Sequence, residues 1–271
     1  MATQAEKAHV FRDLHIQKKP FIIPNPWDSG SARVLSGLGF RALATTSSGF
    51  ATAIGLVDGE PGREAVLAHA ATLVAATELP VSADLENGFG DSPEAVAQTF
   101  HGALAAGLVG GSVEDYSGKD LYETEHAADR VRAAVEAVRG AGFPFLVTAR
   151  AENFFRGKPD LADTIRRLQA YQEAGADVLF APSLPSVEAL ETVLREVDRP
   201  LNVLGGIGGL ASLTLADYER LGVRRISVGS LLAMVAYGGL IHAARELRDA
   251  GSFGWAQELS RAKDLRALIR G

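Results

Sequence analysis

The chain contains no cysteine. That absence excludes disulfides, thiolate metal centres and cysteine nucleophiles together. It also lacks an apolar run long enough to span a bilayer. The stretch from Ala2 to Lys19 is mixed and charged, without the apolar centre of a signal peptide. Positive charge is in deficit, with 27 basic against 33 acidic residues and a formal net charge of −6. Such a chain offers no broad footprint for a phosphate backbone, so neither nucleic acid nor membrane is an expected partner. There is no internal repeat, no low-complexity segment and no Pro/Ser-rich linker. What remains is ordinary globular composition, 47% hydrophobic and 22% charged over 271 residues. A cytoplasmic protein acting on a small molecule is the simplest expectation.

Short apolar runs alternate with longer amphipathic ones. Strands are expected at Phe21–Trp27, Ala42–Ser47, Val81–Glu86, Gly111–Asp115, Phe145–Glu152, Asp177–Pro182, Leu201–Leu204 and Arg225–Val228. Most are apolar on both faces, as parallel strands covered on both sides must be. Helical spacing links Leu161, Ile165 and Leu168, and also Val131, Val135 and Val138. Ser92 before Pro93 and Glu94 reads as a helix start. Gly107, Gly175 and Gly222 read as helix stops. Eight strands with helices between them predict a (β/α)8 barrel, one α/β domain spanning residues 1–271. An open doubly wound sheet is the alternative, but Asn25-Pro-Trp-Asp-Ser-Gly30 lacks the glycine fingerprint expected after its first strand. Two helical stretches, Leu231–Asp249 and Trp255–Ile269, follow the last strand where a barrel needs one. With Phe253 and Trp255 at the joint, residues 231–271 are expected to pack against another subunit, or else to cap this barrel's own floor.

Catalytic residues of such barrels sit at the carboxyl ends of the strands. There the acids stand out. Asp84 and Glu86 occupy alternate positions of one strand end and so aim at a common point. Converging carboxylates repel unless a cation or proton lies between them. Glu114 and Asp115 end the next strand. Oxygen ligands in this pattern suit a hard divalent ion, with magnesium the first candidate and manganese the second. Trp27 ends strand one. Ser47, Ser48, Gly49 and Phe50 offer hydroxyls and backbone N–H groups for a carboxylate or a developing enolate oxygen. Asp58 lies in the following loop. Arg150, beside Glu152 and Asn153, suits a planar substrate carboxylate, and Asn202 on strand seven is a weaker substrate contact. Gly205-Gly-Ile-Gly-Gly209 is a weak phosphate-loop candidate with no basic residue in it. His69, His101, His126 and His242 fall in helical patterns, where surface positions are expected.

These residues resemble the isocitrate lyase/phosphoenolpyruvate mutase superfamily over most of the chain. Asp84-Leu-Glu-Asn-Gly-Phe-Gly90 looks like the family's D-x-D-x-G-[YF]-G signature. Gly111-Ser-Val-Glu-Asp115 and Thr148-Ala-Arg-Ala-Glu152 resemble its strand-four and strand-five motifs. Ser47-Ser-Gly-Phe50 with Gly55-Leu-Val-Asp58 resembles its substrate-oxygen loop. The resemblance implies an α/β barrel in a dimer of dimers with a swapped C-terminal helix. It implies magnesium on Asp84, with Glu86 and Glu114 acting through water and Asp58 beside the ion. Ser48, Gly49 and Phe50 would hold substrate oxygens, and Arg150 a carboxylate.

The departures narrow the activity. Glu86 replaces the second signature aspartate. The lyases' K-[KR]-C-G-H loop is replaced by Tyr116-Ser-Gly-Lys-Asp-Leu-Tyr122, so a standard isocitrate or methylisocitrate lyase is not expected. Pro182 stands near the place of a histidine typical of phosphonate-acting members. The expectation is therefore a magnesium-dependent C–C lyase acting on a small 2-oxo or 2-hydroxy di- or tricarboxylic acid through a metal-stabilised enolate. Tyr116, Lys119 and Tyr122 are the lid groups available as acids. A mutase or hydrolase acting on C–P bonds, and a weakly active 2-oxo-acid binder, are the alternatives.

Overall fold

Eight parallel strands form one sheet in the order β1-β8-β7-β6-β5-β4-β3-β2. They are β1 (Phe21–Ile23), β2 (Leu43–Ala44), β3 (Val81–Asp84), β4 (Gly110–Glu114), β5 (Leu146–Arg150), β6 (Val178–Phe180), β7 (Leu201–Leu204) and β8 (Arg225–Ser227). The computed structural model describes residues 2–270, apart from the side chains of 258–261. Sequence order is kept around the sheet, and β1 pairs with β8, which makes this a nearly closed (β/α)8 barrel. The seam between β1 and β2 is held differently. The Ala44 N–H donates to Pro24 O at 3.1 Å. The Asn25 amide then laces three strand ends, donating to Thr45 O at 2.9 Å and accepting from the Val228 and Gly229 N–H groups at 3.0 and 2.9 Å.

All eight expected strands are present, with most ends shorter than the apolar runs that announced them. The alternation argument for Asp84 and Glu86 does not hold, because β3 stops at Asp84 and Glu86 turns into the left-handed region at φ 50°. Phe89 follows at φ 58°. Such backbone costs on the order of 1–3 kcal/mol per residue and needs outside support. Arg130, only 1% exposed, supplies it by donating to the carbonyls of Asn87, Gly90 and Glu114.

The helices follow their start signals. In α5 (Pro93–Ala105) the Ser92 hydroxyl accepts from the Ala95 N–H. The helix α9 (Leu215–Leu221) ends at Gly222 with φ 88°. Two helices are additions to the expected alternation. The first, α1 (Gln4–Ile16), buries Ala8, Phe11 and Leu14 against Phe21, Ile23 and Leu146 and so plugs the amino-terminal end of the barrel. The other, α3 (Ser47–Ala53), starts directly after β2.

Beyond β8, α10 (Leu231–Ala250) buries only Ala233. A 3-10 segment, Gly254–Ala262, leads to α11 (Leu265–Arg270), where one continuous helix was expected. α11 packs on α2 (Ser29–Gly37) of the same chain, so closely that a Cβ on Gly37 would meet Leu268 O at 2.6 Å. No helix among the described residues is long and apolar enough to cross a membrane.

Candidate active site

A cavity of about 530 Å³ opens at the carboxyl ends of the strands. Asp58, Asp84, Glu86, Glu114, Arg150, Tyr116, Ser47, Ser48 and Asn202 all line it. Its centre is a knot of charge built on β3, β4 and β5. Arg150 Nη1 meets Asp84 Oδ1 at 3.0 Å, and Nη2 meets Glu114 Oε2 at 3.2 Å and Glu152 Oε1 at 2.9 Å. Arg156, from the loop after β5, ties the same acids from above, with Nη2 on Glu114 Oε1 at 2.9 Å and Nε on Glu152 Oε2 at 3.1 Å. Its guanidinium lies 4.1 Å from the centre of the Tyr116 ring. Every nitrogen of Arg150 is therefore committed to a protein carboxylate, a denser engagement than a free substrate fork.

Asp84 is oriented by neutral groups as well. Its own N–H donates to Thr45 Oγ1 at 2.9 Å, and the Ser47 N–H donates to Asp84 Oδ2 at 3.3 Å. Glu86 is the unmatched member. Its Oε1 is buried and has no hydrogen-bond partner among the described residues. Burial first, then the charges of Asp84 and Asp58, push its carboxyl up to about 8. Burial also pushes Glu114 up to about 8, against the pull of Arg150. Among the described residues no three acidic or histidine side chains are gathered tightly enough to hold a metal ion as they stand. Arg150 sits between the acids instead.

Several expected contacts fall elsewhere. Gly49 and Phe50 do not line the cavity, because the helix cap uses their N–H groups. Gly49 N–H donates to Thr46 Oγ1 at 3.3 Å and Phe50 N–H to Thr46 O at 3.0 Å. Gly49 is needed for packing, since a Cβ there would meet Thr46 Cγ2 at 2.6 Å and Trp27 Cβ at 3.1 Å. The Phe50 ring stacks on His69 at 3.9 Å, and His69 Nε2 lies 3.0 Å from Trp27 O. Trp27 thus belongs to the support behind α3, and His69 is half-buried rather than on the surface.

Lys119 is exposed and outside the cavity, in a turn held by Ser117. Tyr122 points away too, donating to Asp91 Oδ1 at 2.5 Å. Asp115 is a buried strut, held by Arg167 at 3.0 Å and by the Tyr171 hydroxyl at 2.5 Å. Asn202 lines the cavity at depth, one residue into β7, rather than at its mouth.

Arg156 and Arg225 are lining residues that the sequence patterns did not single out. Arg225 is the first residue of β8 and reaches across the barrel interior to Asn202 and Thr148.

Comparisons with known proteins agree with this architecture. The family model for phosphoenolpyruvate phosphomutase matches residues 11–248. A crystal structure from Burkholderia cenocepacia J2315, assigned provisionally as a lyase/mutase, superposes with TM-score 0.94 at 48% identity, over 99% of this chain and 97% of that one. An uncharacterized protein of Mycobacterium tuberculosis strain H37Rv is 34% identical over 240 residues, 88% of this chain and 89% of its own length. The 2-methylisocitrate lyase of Halalkalibacterium halodurans is 31% identical over 209 residues, 73% of this chain and 67% of its own length.

Proposed function

The chain belongs to the phosphoenolpyruvate phosphomutase family, within the isocitrate lyase/phosphoenolpyruvate mutase superfamily, and from that premise we propose that it is a magnesium-dependent carbon–carbon lyase. Its substrate is a small 2-oxo or 2-hydroxy di- or tricarboxylic acid of the oxaloacetate or alkylmalate kind. One observation carries the reading. Asp58, Asp84, Glu86, Glu114 and Glu152 are set against only Arg150 and Arg156, and one buried oxygen of Glu86 has no partner among the described residues. Two guanidinium groups do not neutralise five ionised carboxylates, and without a further cation Glu86 and Glu114 keep their protons up to about pH 8. Oxygen ligands short of positive charge suit a hard divalent cation.

Asp84 would hold the cation directly, with Glu86 and Glu114 acting through water and Asp58 beside it; manganese is the alternative occupant. When bound, the cation supplies Lewis-acid polarisation of the substrate carbonyl. The other functions belong to the chain. The Ser47 and Ser48 hydroxyls, with the N–H of Ser48, meet the oxygen on which negative charge gathers as the bond beta to the carbonyl breaks. Arg150 Nη1, now on Asp84, is the nitrogen that a substrate carboxylate can share. Tyr116 is the lid hydroxyl inside the cavity and gives a proton to the enolate carbon; a 2-hydroxy substrate would give its hydroxyl proton to Asp58 in the same cavity, whereas a 2-oxo substrate has none to lose.

A second reading, cleavage of a C–P bond, draws on the description of the matching family itself. Against it, the residue lining the cavity after β6 is Pro182, which can neither donate nor accept a proton there. The test is one screen. Oxaloacetate, 2-alkylmalates and phosphonopyruvate are incubated with protein and magnesium, and pyruvate and phosphate are measured. Chelator-sensitive pyruvate release from a carboxylic acid supports the lyase. Phosphate from phosphonopyruvate moves the assignment to C–P chemistry. Metal-dependent stabilisation by 2-oxo acids without product leaves a binding protein.

We further propose a single functional domain in the cytoplasm, assembled as a homodimer or homotetramer through residues 231–271. Met234, Val235, Leu240 and Phe253 are each more than 60% exposed on and beyond α10, an apolar face of the kind that subunit contacts cover. Light scattering of the purified chain checks this.

A further inference from the structure

Arg225 stands at the base of the same cavity and differs from Arg150 and Arg156, the other arginines that line it. It is 5% exposed, and no carboxylate among the described residues lies within ion-pair distance. Its neighbours are neutral: Nε donates to Asn202 Oδ1 at 2.8 Å, Nη2 donates to Thr148 Oγ1 at 3.1 Å, and Nη1 lies 3.5 Å from His15 Nε2. Burial, and then the charge of Arg225 itself, push His15 down to about 3, so that ring carries no charge. Burial pushes Arg225 down to about 9, still protonated at neutral pH. A guanidinium has five N–H donors, and three protein acceptors leave two of them free. A buried charge without a counter-ion is costly and is normally found paired.

The free donors have somewhere to go. Arg225, Asn202, Ser227, Ser82 and Ser112 all line the cavity. Its polar walls continue below the acid knot. On β5, Thr148 precedes Arg150 by two residues, so this end lies about 7 Å of strand deeper. Negative charge is crowded at the mouth and missing at the base. A ligand carrying two carboxylates, one at each level, would supply the missing counter-charge.

We propose that Arg225 is the receptor for the deep carboxylate of a dicarboxylate ligand and thereby selects diacids over monoacids. The identity of the ligand rests on the proposed lyase reading, but the receptor itself does not require turnover. Wild-type protein, Arg225→Met and Arg225→Lys are titrated calorimetrically, with magnesium present, with malonate, succinate and glutarate and with acetate, propionate and butyrate. The expected result is that wild type binds at least one diacid tenfold or more tighter than its monoacid counterpart. Arg225→Met loses that preference, and Arg225→Lys keeps part of it. The melting temperature of ligand-free Arg225→Met is expected to equal or exceed that of wild type, because an uncompensated buried charge is removed.

A preference that persists in Arg225→Met overturns the proposal, as does a wild type with no preference for any diacid. If Arg225→Met fails to fold, Arg225→Lys decides: a folded lysine variant that treats diacids and monoacids alike overturns it, and a retained preference upholds it. Tight diacid binding without any cleavage in the substrate screen sinks the lyase reading alone. An active lyase whose Arg225→Met variant binds diacids normally sinks this inference alone.

Discussion

The mouth and the base of the barrel handle buried charge in opposite ways. At the mouth, Arg150 and Arg156 each hold two or more carboxylates, and Glu152 between them is fully buried. At the base, Arg225 has only an amide, a hydroxyl and a neutral imidazole. The first arrangement holds the protein together and leaves an excess of negative charge. The second contributes little cohesion and leaves an excess of positive charge. The same residue type is therefore a strut in one place and a receptor in the other, and burial alone does not tell which. Partners and position together do, since Arg130 also has only neutral partners but does not line the cavity.

The sharpest way to break this contrast is to remove each arginine in turn. Arg150→Ala strands the buried Glu152 and Glu114 carboxylates, and urea unfolding is expected to record a loss of about 3 kcal/mol or more. Equal losses for Arg150→Ala and Arg225→Met would erase the distinction between strut and receptor.

Next in size, Asp84→Ala removes the proposed direct ligand. Changing an outer-shell group typically weakens metal binding about 10–100-fold, so a direct ligand is expected to cost at least the upper end of that range. Magnesium titration by calorimetry measures it, and pyruvate release should disappear. Full activity of this variant with excess chelator present defeats the metal assignment.

The third test is in pH. Glu86 and Glu114 lie near 8 in the fold against 4.5 for an ordinary glutamate. The fold thus binds their protons more tightly than the unfolded chain does. The stability they contribute is complete below about 4.5 and fades as pH rises through 8. The melting temperature without divalent cation should drift down across that window. Magnesium, which favours the ionised forms, should stabilise more at pH 8 than at pH 6. A flat profile, or one rising with pH, would show that these acids are already neutralised by the arginines.

Much of the barrel is legible in the sequence because its strands are apolar on both faces, a pattern that no exposed element can afford. The acids at strand ends are legible because they interrupt that pattern. Other parts are hidden for identifiable reasons. α1 carries charged residues beside Ala8, Phe11 and Leu14, so its buried face is too narrow to stand out. Gly49 and Phe50 read as donors, yet the threonine that caps their helix stands three and four residues before them and absorbs both N–H groups. Asp115 follows Glu114 directly and looks like a second rim acid, until Arg167 and Tyr171 arrive from a helix some fifty residues away to fix it. Arg156 sits in a loop with no periodicity. Arg225 reads as the charged edge of a strand, because sequence gives no hint that its side chain runs inward.

The seam between β1 and β2 gives the ring a preferred place to yield. Seven of the eight junctions are ordinary ladders, whereas this one relies on a backbone contact at Pro24 and the lacing of Asn25. Ser47 and Ser48 begin just past that stave, so the wall bearing the proposed substrate-oxygen donors adjoins the one junction without a ladder among the described residues. Any opening there would part Asn25 from Thr45 or from Val228 and Gly229, while the bonds from Thr45 and Ser47 to Asp84 keep the serines with the acids, so the cleft would form beside the charged knot and not through it.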